Sequence, residues 1–564
     1  MRFVLDGARI ADRAALHRAL AEGLRFPEWY GGNLDALHDC LTDISEPVEI
    51  EIRNTCALEA ALGGYARAFR RTLTDGAAEN ENLRVIFRKA DGSPSLVHDI
   101  RTIDRGMGMK KSYTGDFSQG SVSRAILRIG LPIMAAELVH VLYNLVDRMF
   151  ISHMPEVGTL ALTGVGVAFP LITIISAFAN LCGTGGASLT SIARGEGDVE
   201  RARLIEETAF TMLIIMGGVL TIVMYAFAPA LLEVLGGDAK TLPYAVEYFR
   251  IYVLGSIPVL ISLGMNPFIN AQGFAGTGML TVVIGAVLNT ILDPFMIYAM
   301  NMGVRGAALA TIISQAVSAL WVTMFLCGKK PILPVRRLRI HGTSMRAILK
   351  LGATGFTFKC TNSLTQAIVN MTLKSFGGTM STLYVGAMSV INSLREVAQL
   401  PTTGVTNGAS PVMSYNFGAG KPKRVSRAIG FTLTGTLVMN SIVWALVMLI
   451  PERLIGIITP DPEIIRLGAH CARIYFGAFP FMSLQMTGQN TFVALNHPKH
   501  ALFFSLFRKF ALVTLLTLLL PRIGFGAEGV FWAEFISQVV GASACMICMY
   551  ICIWRKLRLS PDAQ

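Results

Sequence analysis

The chain has 564 residues, of which 52% are hydrophobic and only 15% are charged. This composition lies outside the range of soluble globular domains and predicts that most of the chain is embedded in membrane lipid. The formal net charge is +12, although residues 1–92 hold 12 Lys and Arg against 15 Asp and Glu. Because the basic excess belongs to the apolar part, it indicates a membrane topology and argues against nucleic acid as a partner.

The first 90 residues predict a compact α/β domain outside the bilayer. The runs RFVLDG, VEIEIR and LRVIFRK are typical of strands, and helical patterns lie between them at about 12–24, 33–43 and 57–73. Residues 1–25 lack a continuous apolar core, so we expect no signal peptide. Residues 91–120 lose periodicity and gain Gly, Ser and charge, which predicts a linker. The stretch MGMKKSYTG within them suggests that two genes were joined here.

From about residue 124 onward, twelve apolar stretches are each long enough to cross a bilayer as a helix. They begin near residues 124, 160, 204, 244, 276, 304, 346, 380, 426, 467, 500 and 527. The loops on one side collect most of the Lys and Arg residues, as in GKKPILPVRRLRIHG, KPKRVSR and WRKLR. The positive-inside rule therefore predicts a multi-pass protein of the cytoplasmic membrane with both termini, and the front domain, in the cytoplasm.

The membrane part repeats itself at an offset of about 223 residues. GVRGAALATIISQ from Gly303 aligns with GAEGVFWAEFISQ from Gly526. GEG at 195–197 falls on GAG at 418–420, and ILRIG at 126–130 falls on ILKLG at 348–352. Three matches in one order indicate a duplicated six-helix bundle. We predict an N-lobe at 121–340 and a C-lobe at 341–557, related as parallel repeats with a cleft between them, as in many secondary transporters.

Two polar residues interrupt the apolar segment AVLNTILDPFMIY, residues 286–298. Asn289 and Asp293 are four apart and share one helix face, and Pro294 frees backbone carbonyls beside them. A charge at the bilayer centre costs at least about 2.5 to 3.5 kcal/mol, which a partner, a cation or a proton must offset. We expect Thr311, on the next segment, to contribute a hydroxyl oxygen to a cation site.

The first apolar segment offers a second carboxylate. Asp147 lies four residues after Tyr143 and fifteen after Pro132. Its neighbour Arg148 leaves open the alternative that Asp147 caps the helix at the membrane interface. If Asp147 and Asp293 meet in a low-dielectric cavity, both cannot be ionised cheaply, so the pair should take up and release a proton as a unit. A cation antiporter needs a site of that kind.

These motifs resemble those of the multidrug and toxic compound extrusion (MATE) family. The Pro132, Tyr143 and Asp147 spacing, LNTILDP, GVRGAALATIISQ and the SYNFGAGKPKRV loop carry the resemblance over about residues 117–557, closest to the bacterial damage-inducible-protein-like branch. It implies antiport of organic cations or drugs coupled to H⁺ or Na⁺, with no other cofactor. The cation-coupling residues that it implies are Asp147, Asn289, Asp293 and Thr311, with Tyr143 and Pro132 at the substrate cavity and its gating.

The C-lobe segments leave alternatives open. Leu512 and Leu516 stand at the repeat positions of Asn289 and Asp293, so the family's second pattern, with acidic cation ligands in the C-lobe, has no evident counterpart. Secondary acidic candidates are Glu396 and Glu534. Basic residues that could line the C-lobe cavity or form internal pairs are Lys359, Arg395, Arg508 and Lys509. They keep open a lipid-linked sugar flippase of the same superfamily, with cationic residues for pyrophosphate. No nucleophile–base or phosphate-loop motif favours an enzyme.

The motif FPEWYGGNLDALHDCLTDI, residues 26–44, resembles barstar, the intracellular inhibitor of a secreted ribonuclease, over residues 1–90. The resemblance implies contact with a ribonuclease through Trp29, Tyr30, Asn33, Asp35 and Asp39. The two acids are four apart and share one helix face. His38 stands where barstar has an aromatic residue, which leaves the partner open. A membrane-anchored inhibitor or immunity protein is therefore a further alternative for the whole chain.

Nine cysteines are scattered along the chain. The only cluster, Cys545, Cys548 and Cys552, lies at helical spacing in the last apolar segment, without His or acidic partners in that segment. We expect these residues to be small helix-packing side chains. No metal site is predicted beyond a possible Na⁺ site.

Overall fold

The structure is a computed structural model, and it describes residues 2–27, 30–80, 82–87, 116–154 and 158–559. The chain divides into two compact units, Met1–Ser112 and Tyr113–Gln564. Each unit has its own hydrophobic core and is described by itself. Most of the predicted linker, residues 91–120, lies outside the described ranges.

The front unit is a three-stranded parallel sheet covered by helices. The strands are β1 (Arg2–Asp6), β2 (Val48–Arg53) and β3 (Leu83–Phe87), paired in that order, and the helices are α1 (Arg13–Leu24), α2 (Leu34–Thr42), α3 (Thr55–Leu62) and α4 (Gly64–Glu79). Phe3 pairs with Ile50, and Ile50 with Val85. The helical pattern predicted at 57–73 is two helices, because Gly63 at φ +55° ends α3 and starts a new turn.

The membrane unit consists of long helices. In chain order they are α5 (Val122–Ser152), α6 (Gly158–Gly195), α7 (Val199–Val234), α8 (Leu242–Leu254), α9 (Ser256–Ala271), α10 (Ala275–Pro294), α11 (Val304–Leu326), α12 (Gly342–Phe376), α13 (Ser381–Gly418), α14 (Pro422–Leu449), α15 (Pro451–Gly456), α16 (Pro462–Phe476), α17 (Met482–Ala494), α18 (Pro498–Leu506), α19 (Thr514–Leu519), α20 (Gly529–Met549) and α21 (Arg555–Leu559). Short π-helical turns continue α10 at 295–299, join α18 to α19 at 507–513 and join α20 to α21 at 550–554. These helices form twelve segments at the predicted positions.

Not all twelve segments are equally apolar. Among the described residues, eight helices are long and apolar enough to cross a membrane, and the pair α8 and α9, bent by 61°, makes a ninth. The other three segments are α12, α13 and α16 with α17. They are more polar because they contain hydroxyl, amide and charged side chains, many of which are buried. A hydropathy criterion therefore finds fewer spans than the helical architecture contains.

The two lobes touch through symmetry-related glycines. Helix α5 packs against α13, and α6 packs against α12. A Cβ atom on Gly408 would lie 2.7 Å from the amide nitrogen of Gly130, and one on Gly185 would lie 2.6 Å from the amide nitrogen of Gly352. The repeat offset relates Gly130 to Gly352 and Gly185 to Gly408, so the same contact is made twice. The lobes consequently approach backbone to backbone in the half of the molecule nearer the 195–197 and 418–420 loops.

Candidate functional site

An acidic pair is buried in the N-lobe. Asp293 lies one residue before the end of α10 and is fully buried, and Asn289, one turn earlier, is 3% exposed. The Asn289 side-chain amide donates a hydrogen bond of 3.0 Å to the Asp293 carboxylate. Asp147 on α5 reaches this site and interacts directly with the carboxyl group of Asp293. The structure therefore brings together three of the four predicted coupling residues from two helices.

Hydroxyl groups surround the pair. The predicted fourth residue, Thr311 on α11, donates a hydrogen bond of 3.0 Å to the Ala307 carbonyl and also interacts with the Tyr248 hydroxyl. Tyr248 and Tyr252 are buried on one face of α8, with their rings stacked at 6.1 Å. Sequence analysis missed these two tyrosines, although their four-residue spacing in an apolar helix was a usable signal.

A small cavity adjoins the acidic pair. Its volume is about 30 Å³, and its lining includes Tyr143, Asn289, Thr311, His140 and Gln315. A drug-sized ligand needs a pocket of roughly 300 to 1,000 Å³, whereas one water molecule needs only about 10 to 15 Å³. The cavity thus has room for water or a small cation with oxygen ligands but not for an organic substrate.

The helices that carry the pair are irregular. Pro132 lies inside α5, ten residues after its start. Pro294 is followed by a π-helical turn, a feature that frequently marks functional sites. Asp147 lies five residues before α5 ends at Ser152, so it does not cap the helix.

The corresponding region of the C-lobe has a different charge pattern. Glu534 on α20 accepts hydrogen bonds from Arg508 at 3.1 Å and from Lys509 at 3.2 Å, and all three side chains are buried. Arg395 donates a hydrogen bond of 3.2 Å to the Tyr475 hydroxyl beside them. The repeat offset makes Glu534 the partner of Thr311. Because two basic side chains already engage its carboxylate, Glu534 is a poor secondary cation ligand.

Two charged candidates remain, Glu396 and Lys359. Glu396 is exposed on α13. Lys359 on α12 is within electrostatic range of Glu137 and His140, both on α5. The repeat offset of 222 relates Glu137 to Lys359, so opposite charges at equivalent positions of the two lobes face each other. Lys359 therefore lies at the boundary between the lobes.

The front unit presents part of its predicted contact surface. Asp39 is exposed on α2, whereas Trp29 and the side chain of Asp35 lie outside the described residues. The Asn33 side chain accepts a hydrogen bond of 2.8 Å from the Ala36 amide and so caps α2. The Tyr30 hydroxyl is hydrogen-bonded to the buried His17 ring. Tyr30 and Asn33 thus also have structural roles within the domain.

Two repeated helical lobes with an acidic site buried in one of them are typical of a secondary transporter. The MatE family model matches residues 132–295 and 360–520, and the Barstar (barnase inhibitor) model matches residues 1–89. The chain therefore belongs to the MATE family and has a barstar-like domain at its front. The predicted fold class is confirmed.

Relatives and solved structures agree with this assignment. The multidrug export protein MepA of Staphylococcus haemolyticus is 22% identical over 444 residues, which cover 78% of this chain and 96% of that protein. MepA of Staphylococcus aureus is 21% identical over 445 residues, covering 78% and 97%. An outward-facing MATE family transporter superposes with a TM-score of 0.75 at 22% identity, over 80% of this chain and 100% of its own. A transporter of the same superfamily from Pyrococcus furiosus gives the same values.

Proposed function

We propose that the chain is an antiporter that exports organic cations across the cytoplasmic membrane, coupled to H⁺ or Na⁺. The observation that carries the proposal is the acidic pair: Asp293 is fully buried, bonded to Asn289 and in direct interaction with Asp147. Two buried carboxyl groups in contact need a shared proton or a bound cation. The names of the MepA relatives, which describe multidrug export, support an organic substrate.

Ion and substrate would occupy different places. The cavity beside Asn289 and Thr311 is too small for a drug, so the substrate would bind in the cleft between the lobes. Tyr143 and Asp147 lie on α5, which also packs against the C-lobe helix α13. Pro132 removes one backbone hydrogen bond from α5 and permits it to bend. Protonation or cation binding at Asp147 and Asp293 would thereby change the shape of α5 and its packing against α13.

The proposed topology places both termini in the cytoplasm. The 195–203 and 418–427 segments and the final basic residues share one side of the twelve-segment arrangement, and all three are rich in Lys and Arg. The half in which the lobes touch would then be the cytoplasmic half. With that half closed, the cleft opens toward the outside.

Efflux of a fluorescent cationic dye from reconstituted vesicles, under separately imposed pH and Na⁺ gradients, tests the proposal. Asp293→Asn and Asp147→Asn should each reduce gradient-driven efflux to the level of empty vesicles, because each removes a titratable, cation-binding oxygen. Asn is nearly isosteric with Asp, so both variants should fold. Leu516→Lys, at the repeat position of Asp293, should impair coupling less. Full gradient-driven efflux by Asp293→Asn would contradict the assignment.

A second candidate function, flipping of a lipid-linked pyrophosphate sugar, is favoured by the C-lobe. Arg395 lies beside the buried group of Arg508, Lys509 and Glu534, in which two positive charges face one negative charge. Phosphate oxygens are suitable partners for such a cluster. Flipping of a fluorescent pyrophosphate-linked lipid in vesicles, without any dye efflux, would favour this function. Dye efflux under either gradient favours the antiporter.

For the front domain we propose binding of a basic ribonuclease through the acidic face of α2. Asp39 is exposed there, and a carboxylate at the centre of an interface can steer and then hold a cationic partner. Residues 1–90 should capture such a ribonuclease in a salt-sensitive manner. Asp39→Ala should abolish capture, whereas Glu22→Ala, an exposed acid on α1, should preserve it. If the folded domain captures no ribonuclease, the acidic residues of α2 form only a solvent-exposed helix face without a binding role.

A further inference from the structure

Two cysteines and a histidine converge at one end of the C-lobe. Cys548 lies near the end of α20, Cys552 lies in the π-helical turn that follows, and His500 lies near the start of α18. One potential ligand atom from each residue lies within 4.8 Å of the other two. All three side chains are half-buried. Nearly fifty residues separate the histidine from the cysteines, which is why the sequence of the last segment did not suggest a metal site.

The distance between the two sulfur atoms suits a shared metal ion. The Cys548 and Cys552 Sγ atoms are 3.8 Å apart. A Zn–S bond is about 2.3 Å, so two thiolates on a tetrahedral ion are separated by about 3.8 Å. Two thiolates on opposite sides of a linear, two-coordinate ion would instead be about 4.6 Å apart at the same bond length. The observed spacing therefore fits a tetrahedral or trigonal ion.

The surroundings hold the three side chains in place. The His500 ring stacks on Phe492 at 5.2 Å with an interplanar angle of 13°. The π-helical turn at 550–554 alters the helix beside Cys552, and such turns are frequent at functional sites. Cys545, one turn before Cys548, is directed elsewhere, since its sulfur lies against Gly488 of α17. The His497 ring is centred 5.9 Å from that of His500 at an interplanar angle of 77°.

We propose that Cys548, Cys552 and His500 bind one borderline or soft cation of the Zn²⁺ class. Two thiolates balance the charge of a divalent ion, and imidazole and thiolate are preferred zinc ligands. Water would complete the coordination. Because the ligands come from α18 and from the α20 end, the ion would cross-link the last two membrane segments. The site is separate from the N-lobe acidic pair and does not depend on the transport proposal.

Metal analysis of the full chain, without an affinity tag, tests this inference. The detergent-solubilised protein is stripped with a chelator, incubated with Zn²⁺, desalted and analysed by mass spectrometry. We expect one Zn²⁺ per chain, loss of that ion in Cys548→Ser and in Cys552→Ser, and at least tenfold weaker binding in His500→Gln. Cys327→Ser removes an exposed thiol that directly follows α11 and should leave zinc binding unchanged.

Cobalt provides a second readout that needs no variant. Co²⁺ added to the unaltered chain should give the intense absorption of a thiolate-bound tetrahedral ion, and Zn²⁺ should displace it. Absence of this spectrum, absence of zinc from the unaltered chain, or undiminished zinc in the Cys548→Ser/Cys552→Ser double variant would overturn the proposal. Absence of the cobalt spectrum from the unaltered chain counts against the site even if a serine variant does not fold. Dye efflux is measured in parallel, so that failure of zinc binding is distinguished from failure of transport.

Discussion

The substitution Gly352→Ala should open the half of the molecule in which the lobes touch. Gly352 on α12 lies directly against α6, and a Cβ atom built on it would be 1.7 Å from the Leu181 carbonyl oxygen. Real contacts of this kind are about 3.4 Å or longer, so the two helices must separate by more than 1 Å. The obstacle is backbone, which cannot rotate away as a flexible side chain would. The closed state therefore loses its closest packing between the lobes.

The size of the effect follows from the cost of overpacking. Inserting a methyl group into a packed interface typically costs about 1 to 3 kcal/mol. If Gly352→Ala raises only the free energy of the closed state, the ratio of open to closed molecules should rise about 5- to 150-fold. Gly218→Ala is the matched control, because no atom other than its own helix backbone lies within 4 Å of the added methyl group.

Spin labels on either side of the contact report the change. Labels at Glu200→Cys and Lys423→Cys, both exposed and one in each lobe, should show a longer distance in Gly352→Ala but not in Gly218→Ala. The exposed native thiol Cys327 is replaced by Ser in all chains. An unchanged distance in a normally folded Gly352→Ala protein would refute the idea that the glycine contact holds this half closed.

Two further outcomes are expected. Glu534→Gln should destabilise the protein by about 3 to 5 kcal/mol, because Arg508 and Lys509 lose their buried counter-charge. The change is measured as a lower midpoint of thermal unfolding. Glu396→Gln, at an exposed position, should have little effect, and equal midpoints for the two variants would contradict the reasoning. In residues 1–90, burial lowers the pKa of His17 from its ordinary value of 6.5. Below pH 6.5 the unfolded chain binds a proton at His17 that the folded domain does not bind. The free energy of unfolding should therefore be highest above pH 6.5 and should decrease at lower pH, by at most about 1.4 kcal/mol per pH unit. Urea titrations at several pH values measure this dependence. If the free energy of unfolding of His17→Gln depends on pH to the same degree, another group is responsible.

The sequence by itself determined the features that depend on neighbouring residues. Apolar patterning predicted the starts of twelve segments, of which nine are long and apolar enough to span among the described residues. Runs rich in β-branched residues predicted the three strands, and repeated words predicted the duplication. The four-residue spacing of Asn289 and Asp293 placed both on one helix face, because helical geometry is local. Local patterns erred where a single backbone angle mattered, as at Gly63, which divides one predicted helix into two.

Only the tertiary structure decided which distant residues meet. Asp147 reaches Asp293 across almost 150 residues, Glu534 is engaged by Arg508 and Lys509, and His500 joins two cysteines of another helix. Local sequence periodicity predicts none of these contacts, because each contact depends on how closely whole helices pack. Between the lobes, closeness is set by pairs of glycines that allow backbones to touch, and such packing is a property of the folded chain as a whole.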